Sequence, residues 1–215
     1  MRLKENYLIK NNKGLSLVEL IVVIAIMAVM IGGGGFTISM LSGAEAKQAV
    51  QKFSAQLNDV KTGTMTKADE EMVIRYINVT DTNKESFAKK GVDTSGFYAD
   101  KCIYTIMNNA SDPSKSIRTA YNDTHEYSHI GSKKVTITIY AGGASYELTG
   151  NEAEGYLFSY NRKTGAFEEA KTVAVTGDTL TIGSSIGKLE KIEFKCGLRT
   201  YTLTIDAEAG RHYIE

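Results

Sequence analysis

Lys13-Gly14-Leu15-Ser16-Leu17-Val18-Glu19-Leu20, followed by an apolar run to Ile31, is the stretch on which the reading of this 215-residue chain turns. No charged side chain stands between Glu19 and Glu45. Residues 15 to about 36 make roughly 22 residues, or about 33 Å of helix, against a hydrocarbon core of about 30 Å. One acid, Glu19, sits inside the apolar edge. A carboxylate at the bilayer centre costs about 2.5–3.5 kcal/mol or more, so a segment that only anchors gains nothing from carrying it. Upstream, Arg2, Lys4, Lys10 and Lys13 are set against Glu5 alone. That excess of positive charge predicts a cytoplasmic N-terminus with the remainder sent outward. A secretory signal is cut after its apolar region, at small residues. Here Gly14 stands before that region.

Basic leader, glycine, apolar residue, glutamate and unbroken apolar run occur in an order that resembles the N-terminus of type IV prepilins and type II secretion pseudopilins. The resemblance implies that residues 1–14 are a leader and that a membrane prepilin peptidase cuts after Gly14. Leu15 would then be the first mature residue and would be N-methylated; Phe or Met is commoner there. Glu19 would neutralise the new α-amino group of a neighbouring subunit inside an apolar filament core. The partners implied are the peptidase, other pilin or pseudopilin subunits, assembly platform and motor proteins, and the membrane. The implied precursor is a single-pass membrane protein with its head outside the cytoplasmic membrane, ending after processing in a cell-surface or extracellular filament. Neither an enzymatic activity nor a cofactor is implied. An uncleaved signal anchor with an accidental glutamate is the alternative reading of the same residues.

Past Ile31 comes Gly32-Gly33-Gly34-Gly35. At about 1 kcal/mol per glycine relative to alanine, this tract disfavours continuous helix by roughly 3–4 kcal/mol. It reads either as a melting point or hinge, or as a close-packing surface of small residues. Helical periodicity then resumes with Ala46, Ala49, Val50, Phe53, Leu57, Val60 and Thr64 at steps of three and four. Lys47, Gln51, Lys52, Asn58, Asp59 and Lys61 stand between them, as on an amphipathic helix. A helix over residues 15–67 is predicted, with its apolar stripe lying on the remainder of the chain. At 1.5 Å per residue it would be roughly 80 Å long, more than an ordinary globular domain requires.

From about Asp69 the period changes to two. Strands are predicted at Met72-Val73-Ile74-Arg75-Tyr76-Ile77-Asn78-Val79, at Cys102-Ile103-Tyr104-Thr105-Ile106-Met107 and at Val135-Thr136-Ile137-Thr138-Ile139-Tyr140. Tyr156-Leu157-Phe158-Ser159-Tyr160 and Ala166-Phe167-Glu168, around the turn Asn161-Arg162-Lys163-Thr164-Gly165, suggest a hairpin. Residues 179–182, 189–194 and 200–205 complete an antiparallel set. The fold class expected is α+β: one long N-terminal helix on an antiparallel sheet, pilin-like, with residues 68–215 as an extracytoplasmic head. Residues 81–99 and 108–132 read as loops with short helices, where partner recognition would sit. The hairpin Ile192-Glu193-Phe194-Lys195-Cys196-Gly197 with Tyr201-Thr202-Leu203-Thr204-Ile205, followed by Gly210-Arg211, resembles the terminal strands of H-type minor pseudopilins.

Twenty-five basic and 25 acidic residues balance to zero, so no global field favours nucleic acid or anionic lipid as the main partner. The pairs Lys89-Lys90 and Lys133-Lys134 read as exposed face, with a DNA-contact role as the alternative, and a DNA-uptake pseudopilin is a further system the resemblance leaves open. Cys102 and Cys196 both fall in predicted strands beyond an outward-crossing anchor. They are expected to pair, closing a long loop for about 2–4 kcal/mol; two buried thiols are the alternative. His125-Glu126-Tyr127-Ser128-His129 fits the His-Glu-x-x-His pattern, which on a helix would put two zinc ligands on one face beside a general base. A membrane-anchored zinc peptidase is therefore the alternative from another class. It lacks a third ligand at short range, and a surface loop with a chance match is the expectation. Asp81-Thr82-Asn83-Lys84-Glu85 offers oxygen ligands but lacks the glycine and later acid of a calcium loop, and reads as a solvated turn.

Overall fold

The computed structural model describes residues 16–66, 70–89, 97–98, 100–108, 117 and 125–215; within its helices the side chains of 31–42, 81–83 and 86 fall outside that description. The leader 1–14 and Leu15 lie outside the described residues. The chain divides into two units, Met1–Met40 and Leu41–Glu215.

Helix α1, Leu17–Thr66, runs without a break through Gly32-Gly33-Gly34-Gly35, so a melted tract is not what the structure contains. In the first unit, the large apolar side chains of residues 17–30 are exposed: Leu17, Val18, Leu20, Ile21, Val22, Val23, Ile24, Ile26, Met27, Val29 and Met30. Among the described residues no helix is long and apolar enough to cross a membrane. The apolar run extends into residues 31–36, whose side chains are outside the description.

The second unit is built on the other half of α1. Ala46, Ala49, Val50, Phe53, Leu57, Val60 and Thr64, the seven positions of the predicted stripe, are each 0% exposed. Around them stand β1 (Glu71–Val79), α2 (Asp81–Lys89), β2 (Asp100–Asn108), β3 (His125–Ser132), β4 (Thr136–Ala141), β5 (Ala144–Glu147), β6 (Glu154–Ser159), β7 (Ala170–Thr176), β8 (Thr179–Gly187), β9 (Leu189–Cys196), β10 (Arg199–Asp206) and β11 (Arg211–Ile214). These strands form two antiparallel sheets, of order β3-β2-β1-β6-β7-β8 and β11-β10-β9-β4-β5, where one sheet was expected. The architecture is α+β, with a helix at the N-terminus and antiparallel sheets. Phe53 joins the two sheets, with its ring 5.7 Å from that of Phe158 on β6 and 5.5 Å from that of Phe194 on β9.

β1 explains why a second core exists. Its burial is nearly continuous, with Met72, Ile74 and Tyr76 on the side of α1 and Val73 and Ile77 on the other. A strand buried on both faces reads as an apolar run, and both faces need cover. The outer cover includes Phe87 of α2, Phe97 and Ile117. Phe97 packs on Tyr104 and Tyr127, with ring centroids 4.9 and 5.5 Å apart. Segments read from sequence as recognition loops thus supply core residues. Asp81 opens α2 and is not part of a solvated turn.

The far end of α1 is closed by short-range contacts. The Thr64 hydroxyl donates to the Glu70 carbonyl at 3.3 Å and accepts from the Glu70 N–H at 3.1 Å. Lys61 Nζ donates to the carbonyls of Ala209 and Gly210, at 3.3 and 2.8 Å. Gly210, at φ +58°, lies so near the Gly165 carbonyl that a Cβ would come within 1.7 Å of its oxygen. The 161–165 turn, the β10–β11 turn and the end of the helix therefore lock together without room for a methyl group.

Candidate functional site

The N-terminal turn of α1 holds the site singled out from sequence. Ser16 precedes the first helical residue, and its hydroxyl accepts the Glu19 backbone N–H at 3.2 Å. The Glu19 carboxylate accepts the Ser16 backbone N–H, also at 3.2 Å. This reciprocal pair is a capping box, which satisfies two donors that the first helical turn leaves open. The acid also lies at the positive end of the helix dipole. Glu19 thus has a local task that reading it as an intersubunit charge overlooks. The signal was present in the sequence: Ser16-Leu17-Val18-Glu19 is the S-x-x-E pattern. Both hydrogen bonds use groups that a cut after Gly14 would leave intact.

Beyond this turn the helix carries no charge before Glu45, and the described side chains through Met30 are exposed on every face. An amphipathic helix shows an apolar stripe and a polar face. This segment has no polar face to give to water. Gly14 and Leu15, the expected cleavage and methylation positions, lie outside the described residues.

The structure does not bring together the other sequence-derived candidates. Cys102 and Cys196 are both buried, and neither is in a disulfide. Cys102 lies in the core on the face of the six-stranded sheet turned away from α1, whereas Cys196 packs in the core containing α1. The expected pairing therefore gives way to two buried thiols, and burial pushes the Cys102 thiol up from its ordinary range. The His-Glu-x-x-His match falls on strand β3, not on a helix or in a surface loop. At 3.2–3.4 Å per residue, His125 and His129 stand about 13 Å apart along the strand, too far to share a metal, and Glu126 points to the opposite face. His129 instead stacks near Tyr98, with ring centroids 4.3 Å apart, and burial holds its imidazole below the usual range. Among the described residues no group of three or more His, Cys, Asp or Glu could hold a metal ion.

Two open cavities flank the far end of α1. One, of about 380 Å³, is lined by residues including Glu71, Ser159, Arg162 and Glu168. The other, of about 420 Å³, is lined by residues including Asp59, Glu70, Asn108 and Glu126. In the first, the Ser159 hydroxyl donates to the Glu168 carboxylate at 2.8 Å.

Comparison with known protein families finds that residues 9–37 match the prokaryotic N-terminal methylation motif, the prepilin-type motif of type IV pilins and pseudopilins. The match contains Gly14, Leu15, Ser16 and Glu19 and ends before the head begins. It leaves the C-terminal hairpin, and the H-type likeness drawn from it, outside. No similar curated protein and no similar solved structure is found.

Proposed function

We propose that this chain, with its prepilin-type N-terminus, is a structural subunit of a type IV pilus-like or type II secretion-like filament. It is made as a single-pass membrane precursor spanning with residues 15 to about 36, cut after Gly14 by a prepilin peptidase, and N-methylated on Leu15. It then polymerises through α1 with other pilin or pseudopilin subunits, driven by platform and motor proteins, at the cell surface. The observation that carries this reading is the exposed, all-round apolar surface of residues 17–30 within a prepilin-type motif. Such a surface needs lipid before assembly and neighbouring helices after it.

Glu19 supplies the register. The cut creates a cationic α-amino group at residue 15, and an unpaired charge in an apolar bundle is costly. The carboxylate of a neighbouring subunit's Glu19 would neutralise it. Until then, that carboxylate is occupied by the Ser16 N–H of its own chain, so the helix end stays satisfied while the subunit waits in the membrane. Glu19→Ala tests this. Insertion and cleavage should persist, because the segment becomes more apolar and the residues at the cut are unchanged. Recovery in sheared filaments, relative to the membrane pool, should fall strongly. Normal incorporation of the variant would remove the charge pair from the mechanism.

A further inference from the structure

The end of the head unit where α1 enters is basic and carries an exposed leucine. A Cβ at Gly43 would come within 2.9 Å of Arg199 Cγ, so the β9–β10 turn, Cys196-Gly197-Leu198-Arg199, lies against the helix at its entry. Two residues on, Glu45 accepts hydrogen bonds from the Ser132 N–H, at 3.3 Å, and from the Ser132 hydroxyl. That brings the β3–β4 turn, with Lys133 and Lys134, to the same end. Lys133, Lys134, Lys195 and Arg199 are all exposed. Glu45 accepts from Ser132, Lys133 pairs with Asp100 at 2.7 Å, and the exposed Glu215 stands opposite Thr202 on β10, so Lys134, Lys195 and Arg199 are the cations at this end with no ion pair among the described residues. Leu198, at the tip between Gly197 and Arg199, is 90% exposed, more than any other large apolar side chain described. At the opposite end of this half of α1, Asp59, Glu70 and Glu126 stand around one cavity.

From this arrangement we propose that the entry end is a lipid-binding collar, in which Leu198 seats at the headgroup–acyl boundary of an anionic bilayer and Lys134, Lys195 and Arg199 meet lipid phosphates around it, with Lys133 offsetting Asp100. The proposal rests on the membrane-anchored reading above. A lone exposed leucine needs no explanation. This one stands in a basic ring, on a unit tethered to the apolar run. From Phe36 to Gly43 the chain covers about 10 Å as helix and no more than about 25 Å fully extended. The tether therefore keeps the collar within about 25 Å of the end of the apolar run. Each Lys or Arg near an anionic surface contributes about fivefold in surface affinity, and a lipid-seated leucine adds to that. A few such contacts would hold the head down before assembly yet release it when the subunit is extracted.

The chain contains no Trp, so Leu198→Trp places a single tryptophan probe at the tip. Full-length variant is reconstituted into phosphatidylglycerol vesicles with brominated acyl chains. The expected result is blue-shifted emission quenched by the brominated lipid. In phosphatidylcholine vesicles, or with Lys133→Gln and Lys134→Gln added, the quenched fraction should drop at least about fivefold. Lys163→Trp, in the exposed 161–165 turn, should give solvent-like emission in the same vesicles and serves as the reference. Solvent-like emission from the tip probe, with acrylamide but not lipid quenching, overturns the collar. Shielding from acrylamide without lipid quenching also overturns it, assigning the tip to a second copy of the chain. Alkaline carbonate extraction of the same vesicles separates the two readings. Release of the chain contradicts the anchor itself, whereas retention with a solvent-like probe contradicts the collar alone.

Discussion

The two halves of α1 are one element in sequence and opposites in environment. Residues 46–64 present an apolar stripe that is wholly buried by the sheets of their own unit. Residues 17–30 are apolar on all sides and exposed on all sides. The first pattern is a helix whose partner is encoded further along the same chain. The second is a helix whose partner is not. Local helix propensity does not distinguish them, since both halves are helical; what differs is the presence or absence of charged residues between the apolar ones. The prepilin-type motif falls on the second, exposed half, and lipid or other helices are the cover proposed for it.

The contrast can be broken most forcefully at Phe53. Phe53→Ala removes the ring lying between Phe158 and Phe194, and should destabilise the head by about 3–5 kcal/mol. Ile24→Ala, in the exposed half, should leave the same transition unchanged. Denaturant unfolding of the detergent-solubilised chain, followed by tyrosine signals, checks both; equal losses would mean that the two halves are not energetically distinct. A smaller effect is expected at the capping box. Ser16→Ala should cost about 0.5–2 kcal/mol locally, seen as faster amide exchange over the first helical turn with the head unaffected.

The smallest effect sharpens how the head closes on its half of the helix. His212 Nε2 lies 3.1 Å from the Ser54 carbonyl oxygen and 2.9 Å from the Ser54 hydroxyl. The carbonyl can only accept, so Nε2 carries the hydrogen, and a second proton would have to enter at Nδ1, which is buried with no partner among the described residues. Burial holds both His212 and His129 below the ordinary histidine range. The unfolded chain therefore takes up protons that the folded head refuses. This contribution to stability is present above the unfolded value of about 6.5 and is lost progressively as pH falls from there through the lower folded values. The midpoint of thermal unfolding should fall from pH 7 to pH 5, and the fall should shrink in His212→Asn. Glu193, whose carboxylate is held below its usual range by Lys191 at 2.6 Å, adds a loss only at more acidic pH.

What was legible in the sequence followed periodicity. The stripe from Ala46 to Thr64 could be read because steps of three and four admit only one helical face. β1, β2, β4, β9 and β10 were legible as runs of β-branched and aromatic residues. β3 was not: His125-Glu126-Tyr127-Ser128-His129 has no clean alternation, and its place comes from pairing with β2, His129 opposite Tyr104. β5 and β11 are short edge strands held by one neighbour each, a signal too weak to stand out. The division into two sheets depends on strand order, which periodicity does not contain. The same ignorance made Cys102 and Cys196 look like partners. Arg75, fully buried in the middle of β1 with its Nε donating to the Tyr76 carbonyl at 3.3 Å, would have been placed at the surface by its charge alone. At the candidate site, the glutamate stands out as an anomaly in an apolar run, while the serine that holds it looks ordinary.

If the apolar half of α1 is a processed assembly element, its mature N-terminus carries the mark of that processing. Intact mass and N-terminal fragment spectra of the chain recovered from sheared filaments, or from crosslinked multimers if it is a minor subunit, test this most directly. The expected chain begins at Leu15 with one methyl group on its α-amino nitrogen, and Gly14→Val, by blocking the cut, should trap full-length precursor in the membrane. Assembled chains that still begin at Met1 would contradict it.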